Sequence, residues 1–300
     1  MIRTRHIISG MLALFTSLSA LAQTDPDFHI YICIGQSNME GNARIEPVDM
    51  GDVDGRFRVM ATVDYMKPER KIGEWYVAEP PLVRESTGLT PMDYFGRAMV
   101  ERLPGNVKVG VVSVAIGGCR IEHLSKDYDP LTLSGEAEWF QDYMHFYGDY
   151  PYGRLIACAK KAKEAGVIKG ILLHQGESNN GDTLWCGKVK RLYEDILSDL
   201  GLPQQSIPLY AGELVSKEMG GVCGDMNCII RSLPEKLPCV RIISSEGLPQ
   251  NGDGLHFTAS AYRELGHRYA ESALALMGLL PSVESANESE RIADLDVSSE

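Results

Sequence analysis

At 300 residues, 44% hydrophobic and 23% charged, the chain is long enough to bury a sizeable core and is ordinary in composition for a globular protein. Its formal net charge of −12 counts against nucleic acid and anionic membrane surfaces as partners. A neutral substrate suits such a body better than a polyanion.

In chain order, the first predicted element is a leader. Residues 1–22 place Arg3 and Arg5 before the apolar run "IISGMLALFTSLSALA", with small residues at Ala20 and Ala22. That pattern predicts a secretory signal peptide and a secreted or periplasmic protein. The run is too short for a membrane span, so no stable membrane insertion is expected after cleavage. The alternative is a buried N-terminal helix.

Five apolar, β-branched runs follow: "FHIYICI" (28–34), "VKVGVVSVA" (107–115), "VIKGILLH" (167–174), "IPLYAG" (207–212) and "CVRIIS" (239–244). They are continuously apolar, which predicts strands buried on both faces, as in a parallel sheet. Helical stretches alternate with them. One opens at Thr90-Pro91, one covers 152–166, one runs from Asp182 to Gly201, and the last follows Thr258. Alternating strands and helices predict an α/β fold around a doubly wound, mainly parallel five-stranded sheet.

No linker divides the body, so one domain is expected over 23–280. Segments 44–90 and 120–150 read as long irregular insertions rich in aromatics, including Trp75, Tyr76, Trp139, Phe140, Tyr143, Phe146 and Tyr147. Such insertions on an α/β core usually serve function. Residues 281–300 are acidic and predicted to be disordered. Seven cysteines are an odd number for an exported chain, so at least one is expected to be free or to pair between chains. Their spacing carries no zinc signature, and Cys223 and Cys228 are spaced to bridge a Gly-rich loop.

Polar or glycine motifs end the strands. "GQSN" leaves the first, placing Ser37 where open α/β sheets bind ligands. A serine there suits a nucleophile whose own N–H helps to hold an oxyanion, or simply an N-cap. A serine nucleophile needs a base. His256 lies in "NGDGLHFT", three residues after Asp253, and a short Asp-x-x-His segment can set the carboxylate on one imidazole nitrogen and leave the other free. The alternative is an Asx-turn with a surface histidine. Gly117-Gly118 follows the second strand and can bring N–H groups to a ligand, or form a plain turn. "HQGES" ends the third strand, where the Gln175 amide can serve an oxyanion or cap the strand.

Together, "GQSNMEG", the paired glycines, "HQGES" and "DGLHF" resemble the SGNH hydrolases, and more closely the branch of sialate O-acetylesterases and the acetylxylan esterases of carbohydrate esterase family six. The resemblance spans residues 35–257. It implies a flavodoxin-like three-layer α/β/α sandwich and cofactor-free, metal-free deacetylation of acetylated carbohydrates, of acetylxylan or sialic acid type. Residue by residue, it implies Ser37 as nucleophile, His256 as base and Asp253 as its partner. The oxyanion donors it implies are the N–H of Ser37, the N–H of Gly118 (Gly117 is the near alternative) and the side chain of Gln175. Gln36 and Asn38 are carried as accessory residues. Glu177 is a rival acid for His256 or a residue that fixes the Gln175 loop. The chain departs from the wider superfamily, with Gln36 in place of the Asp of Gly-Asp-Ser and "HQGE" in place of the usual Asn block. A serine esterase for non-sugar esters or thioesters, and a glycan-binding protein on the same scaffold, are the competing readings. Arg44, Arg84 and Arg120 lie near the motifs and keep an anionic sugar open as substrate.

Overall fold

The computed structural model describes residues 24–280. The leader (1–22) and the acidic tail (281–300) lie outside the described residues. Strands β1 (Phe28–Gly35), β2 (Phe57–Met60), β5 (Trp75–Val77), β6 (Lys108–Ala115), β7 (Val167–His174), β8 (Leu209–Gly212) and β9 (Val240–Ile243) form one sheet in the order β5-β2-β6-β1-β7-β8-β9. All neighbours are parallel except the edge pair β2/β5. A separate hairpin joins β3 (Tyr65–Met66) to β4 (Glu69–Arg70).

The five strands expected from sequence are β1, β6, β7, β8 and β9, and they lie side by side in the flavodoxin-like order 2-1-3-4-5. The sheet is nevertheless seven-stranded, not five-stranded. The segment 44–90, read as irregular, contributes β2 and β5. Both are short, and they exist because β6 offers β2 a free edge.

Helices cover both faces. Tyr31 and Cys33 pack with α2 (Pro91–Arg102) and α8 (Ala259–Leu276) through Phe95, Met99, Leu265 and Tyr269. Ile30, Ile32 and Ile34 pack on the other face with α4 (Pro151–Ala165) and α5 (Trp185–Asp199) through Leu155, Ala159, Leu192 and Ile196. This is why β1 reads as a continuous apolar run: successive side chains serve opposite cores. Each large side chain fully buried contributes about 1.5–3 kcal/mol. Thr90 caps α2 and Thr258 caps α8, as the sequence predicts, and Asp93 completes a capping box at Thr90.

The remaining helices are α1 (Ser37–Glu40), α3 (Glu138–His145), α6 (Met226–Arg231) and α7 (Leu233–Lys236). The insertion 120–150 is therefore also more ordered than its sequence suggested. It carries α3 and two short 3-10 turns. All seven cysteines are free thiols, so the bridge suggested between Cys223 and Cys228 does not form. Cys223 is buried with its Sγ against the Glu177 carbonyl, while Cys228 faces solvent. Among the described residues, no helix is long and apolar enough to cross a membrane.

Candidate active site

Strands β1, β6 and β7 end level with one another, because Gly35 pairs with Ala115 on one side and His174 on the other. The motifs that follow them therefore emerge on one rim, at the switch point of the sheet. A Cβ on Gly35 would lie 2.1 Å from the His174 carbonyl oxygen. Close approach of two strands, rather than a left-handed turn, is what demands glycine here. Gln36 takes the N-cap position, and Ser37 is the first residue of α1. The Ser37 N–H thus has no intrahelical acceptor.

The Ser37 hydroxyl lies 2.8 Å from His256 Nε2. On the far side of the ring, His256 Nδ1 lies 2.6 Å from Asp253 Oδ2. The other carboxylate oxygen, Oδ1, accepts the backbone N–H groups of Leu255 (2.8 Å) and His256 (2.9 Å). The Asx-turn and the imidazole contact are therefore one arrangement, not alternatives. The acceptor-only carboxylate on Nδ1 favours the tautomer that carries its proton there and leaves Nε2 to accept from Ser37. Partial burial works the other way, but the hydrogen bonds from the His256 ring and the two backbone N–H groups hold the Asp253 carboxyl below its ordinary value.

Asn38 joins the two halves of this assembly. Its Nδ2 donates to Glu177 Oε1 (2.5 Å) and to the Leu255 carbonyl (2.9 Å), and its Oδ1 accepts from the Tyr262 hydroxyl (2.6 Å). Glu177 is thus bonded to Asn38, while Asp253 faces the imidazole. Burial pushes the Glu177 carboxyl up, and its Oε2 has no partner.

Gln175 is placed differently from the sequence expectation of an oxyanion donor. Its Nε2 donates to Gln36 Oε1 (3.1 Å), the Cys119 carbonyl (3.3 Å) and Asn179 Oδ1 (2.8 Å). Its Oε1 accepts from the Trp185 indole N–H (2.6 Å). With its hydrogen-bonding groups committed and its side chain buried, Gln175 braces the loops beneath the rim. Gln36 is part of the same brace, accepting also from the Ser178 N–H (3.2 Å). The Gly117 N–H is taken as well, by Glu40 Oε2 at 3.0 Å. Gly118 is exposed, with φ of +76°, and its N–H has no acceptor among the described residues. Its carbonyl accepts from Ser178 Oγ at 2.9 Å.

Several contributors were not singled out from sequence. Asn179, Trp185 and Tyr262 lie inside helical or turn patterns that give no hint of their partners. Trp139 stands over Gly118: a Cβ there would meet the indole ring at 2.5 Å. It is 53% exposed, on α3. Arg84 is buried on Glu40 and so is withdrawn from any role as a clamp for an anionic sugar. Arg44 and Arg120 are exposed and make no ion pair among the described residues. No group of three or more His, Cys, Asp or Glu among the described residues is arranged to hold a metal ion.

Comparison with known proteins bears on the family and the fold. Residues 27–275 match the sequence model of the family described as carbohydrate esterase, sialic acid-specific acetylesterase. A solved structure of a protein from Arabidopsis thaliana is 24% identical, with a TM-score of 0.62 over 84% of this chain and 99% of that one. NanS is 15% identical, with a TM-score of 0.61 over 84% of this chain and 98% of that one. A carbohydrate acetylesterase from Xanthomonas citri is 18% identical, with a TM-score of 0.55 over 82% of this chain and 55% of that one. At these identities the structures are similar in fold.

Proposed function

Since the chain belongs to the sialic acid-specific acetylesterase family of carbohydrate esterases and is an acetylesterase, we propose that it removes O-acetyl groups from sugars through a Ser37–His256–Asp253 triad. The observation that carries this reading is the continuous contact from Ser37 Oγ through His256 to Asp253.

In the first step, His256 Nε2 takes the Ser37 proton as Oγ attacks the acetyl carbonyl carbon. The N–H groups of Ser37 and Gly118 receive the oxyanion, and losing one such donor typically costs on the order of 10²–10³ in rate. The carbonyl re-forms, the bond to the sugar oxygen breaks, and that oxygen leaves with the proton held by His256. In the second step, water gives a proton to His256 and attacks the acetyl-Ser37 ester. Acetate departs and Ser37 recovers its proton. Asp253 holds the imidazole in the tautomer this requires. No step calls on a cofactor.

The exposed Trp139 ring beside Gly118 offers a flat apolar face to a pyranose ring. If the sugar is a sialic acid, Arg120, exposed and two residues beyond Gly118, is our candidate to pair with its carboxylate. We take the chain to act outside the cytoplasm, as the leader implies.

Acetate release from O-acetylated sialic acid, acetylated xylan and ethyl acetate tests the reading, with wild type beside Ser37→Ala and Trp139→Ala. Ser37→Ala is expected to lose turnover of all three. Trp139→Ala is expected to raise KM about tenfold for the sugar esters only, equivalent to about 1.4 kcal/mol. Wild-type turnover retained without Ser37 would remove the serine mechanism. Glycan binding with no turnover in the wild type would leave a binding protein.

A further inference from the structure

Glu40 and Arg84 form a buried ion pair behind the rim. Arg84 donates from Nε (2.9 Å) and Nη2 (2.6 Å) to Glu40 Oε1, and the two side chains are only 6% and 7% exposed. The Tyr143 ring covers the guanidinium, its centroid 4.2 Å from Cζ. A buried pair of this kind repays its desolvation poorly, and apolar residues of similar volume often do as well. Its place in the molecule gives it a use.

The second oxygen, Oε2, accepts the Gly117 N–H at 3.0 Å. One residue later, the Gly118 carbonyl accepts from Ser178 Oγ at 2.9 Å. The peptides before and after the Gly117–Gly118 bond are thus pinned, and the peptide between them is left with a free N–H. Glu40 sits three residues after Ser37 on the same short helix.

We propose that Glu40 is a positioning residue: one carboxylate fixes the oxyanion donor of Gly118 relative to the nucleophile of α1, and Arg84 neutralises it. The proposal rests on the triad reading. Arg84 is needed because a lone carboxylate behind an oxyanion site would oppose the charge that develops there. Burial drives the Glu40 carboxyl up, and Arg84 together with the Gly117 N–H works against that rise.

Two charge-free pairs isolate the acceptor. In E40Q/R84M the amide oxygen can still take the Gly117 N–H, and in E40L/R84M nothing can. The expected kcat loss is on the order of a hundredfold in E40L/R84M with KM little changed, and under tenfold in E40Q/R84M. A boronic acid, which forms a tetrahedral adduct on the nucleophile, should lose affinity in the same order. Equal kinetics in the two variants would overturn the proposal. Amide exchange in the wild type supplies a reading that needs no variant: the Gly117 N–H should be protected and the Gly118 N–H should not, and fast exchange at Gly117 would overturn it too. Ser37→Ala, run alongside, separates the two ideas, since full activity there removes the triad itself.

Discussion

The distances around His256 make Asp253 the residue whose loss should be most instructive. Its Oδ2 faces the ring and its Oδ1 ties down two backbone N–H groups. Asp253→Asn keeps an oxygen for the turn but can present an amide N–H to Nδ1, favouring the tautomer that cannot accept from Ser37. The expected result is a kcat lowered on the order of a hundredfold or more, with KM within a few-fold, measured on an acetyl ester. Glu177→Gln should fall well short of that loss, because Glu177 bonds Asn38 and not the imidazole; a larger loss there would exchange their roles. That Ser37, Asp253 and His256 come together was legible in the sequence because each sits in a short motif whose local geometry is set by its neighbours; their catalytic roles are our proposal. The surroundings of Gln175 were not legible for a complementary reason. What its amide faces depends on Gln36 and Cys119, which are distant in the chain, and on how the segment carrying Asn179 and Trp185 folds back over it.

Among the elements, β1, β6, β7 and β8 could be read because burial on both faces writes a continuous apolar run, and the edge strand β9 because a short apolar run still marks it. β2 and β5 could not. They hold four and three residues, β5 is only half-buried, and β2 is specified by β6, about fifty residues away. The end of β7 carries a pH signature of its own. His174 is fully buried, and burial lowers its pKa from about 6.5 to about 3. Between those values the unfolded chain binds a proton that the native chain does not. Stability from this group is therefore intact above about pH 6.5 and declines as pH falls toward 3. Urea unfolding at pH 7 and pH 4.5 should show a smaller acid loss for His174→Gln than for wild type. The same loss in both would mean that the buried ring is not the source.

For the molecule as a whole, the doubly wound sheet explains why residues from 37 to 256 meet. Three central strands end in register, β8 and β9 extend the same sheet, and the loop after β9 returns His256 over the rim. The insertions then add what the core lacks: Arg84 behind the glycine pair and Trp139 over it. Sequence composition marked these insertions as functional in kind, but their contacts depend on how they fold back across the sheet. The central claim is that this rim turns Ser37 into a nucleophile, and covalent labelling tests it most directly. The measurement is the mass of the peptide containing Ser37 after exposure to a fluorophosphonate, in wild type and in His256→Ala. A single adduct on Ser37 in the wild type, formed far more slowly without His256, is the predicted result. An adduct on another serine, or labelling of Ser37 that does not depend on His256, would contradict the account.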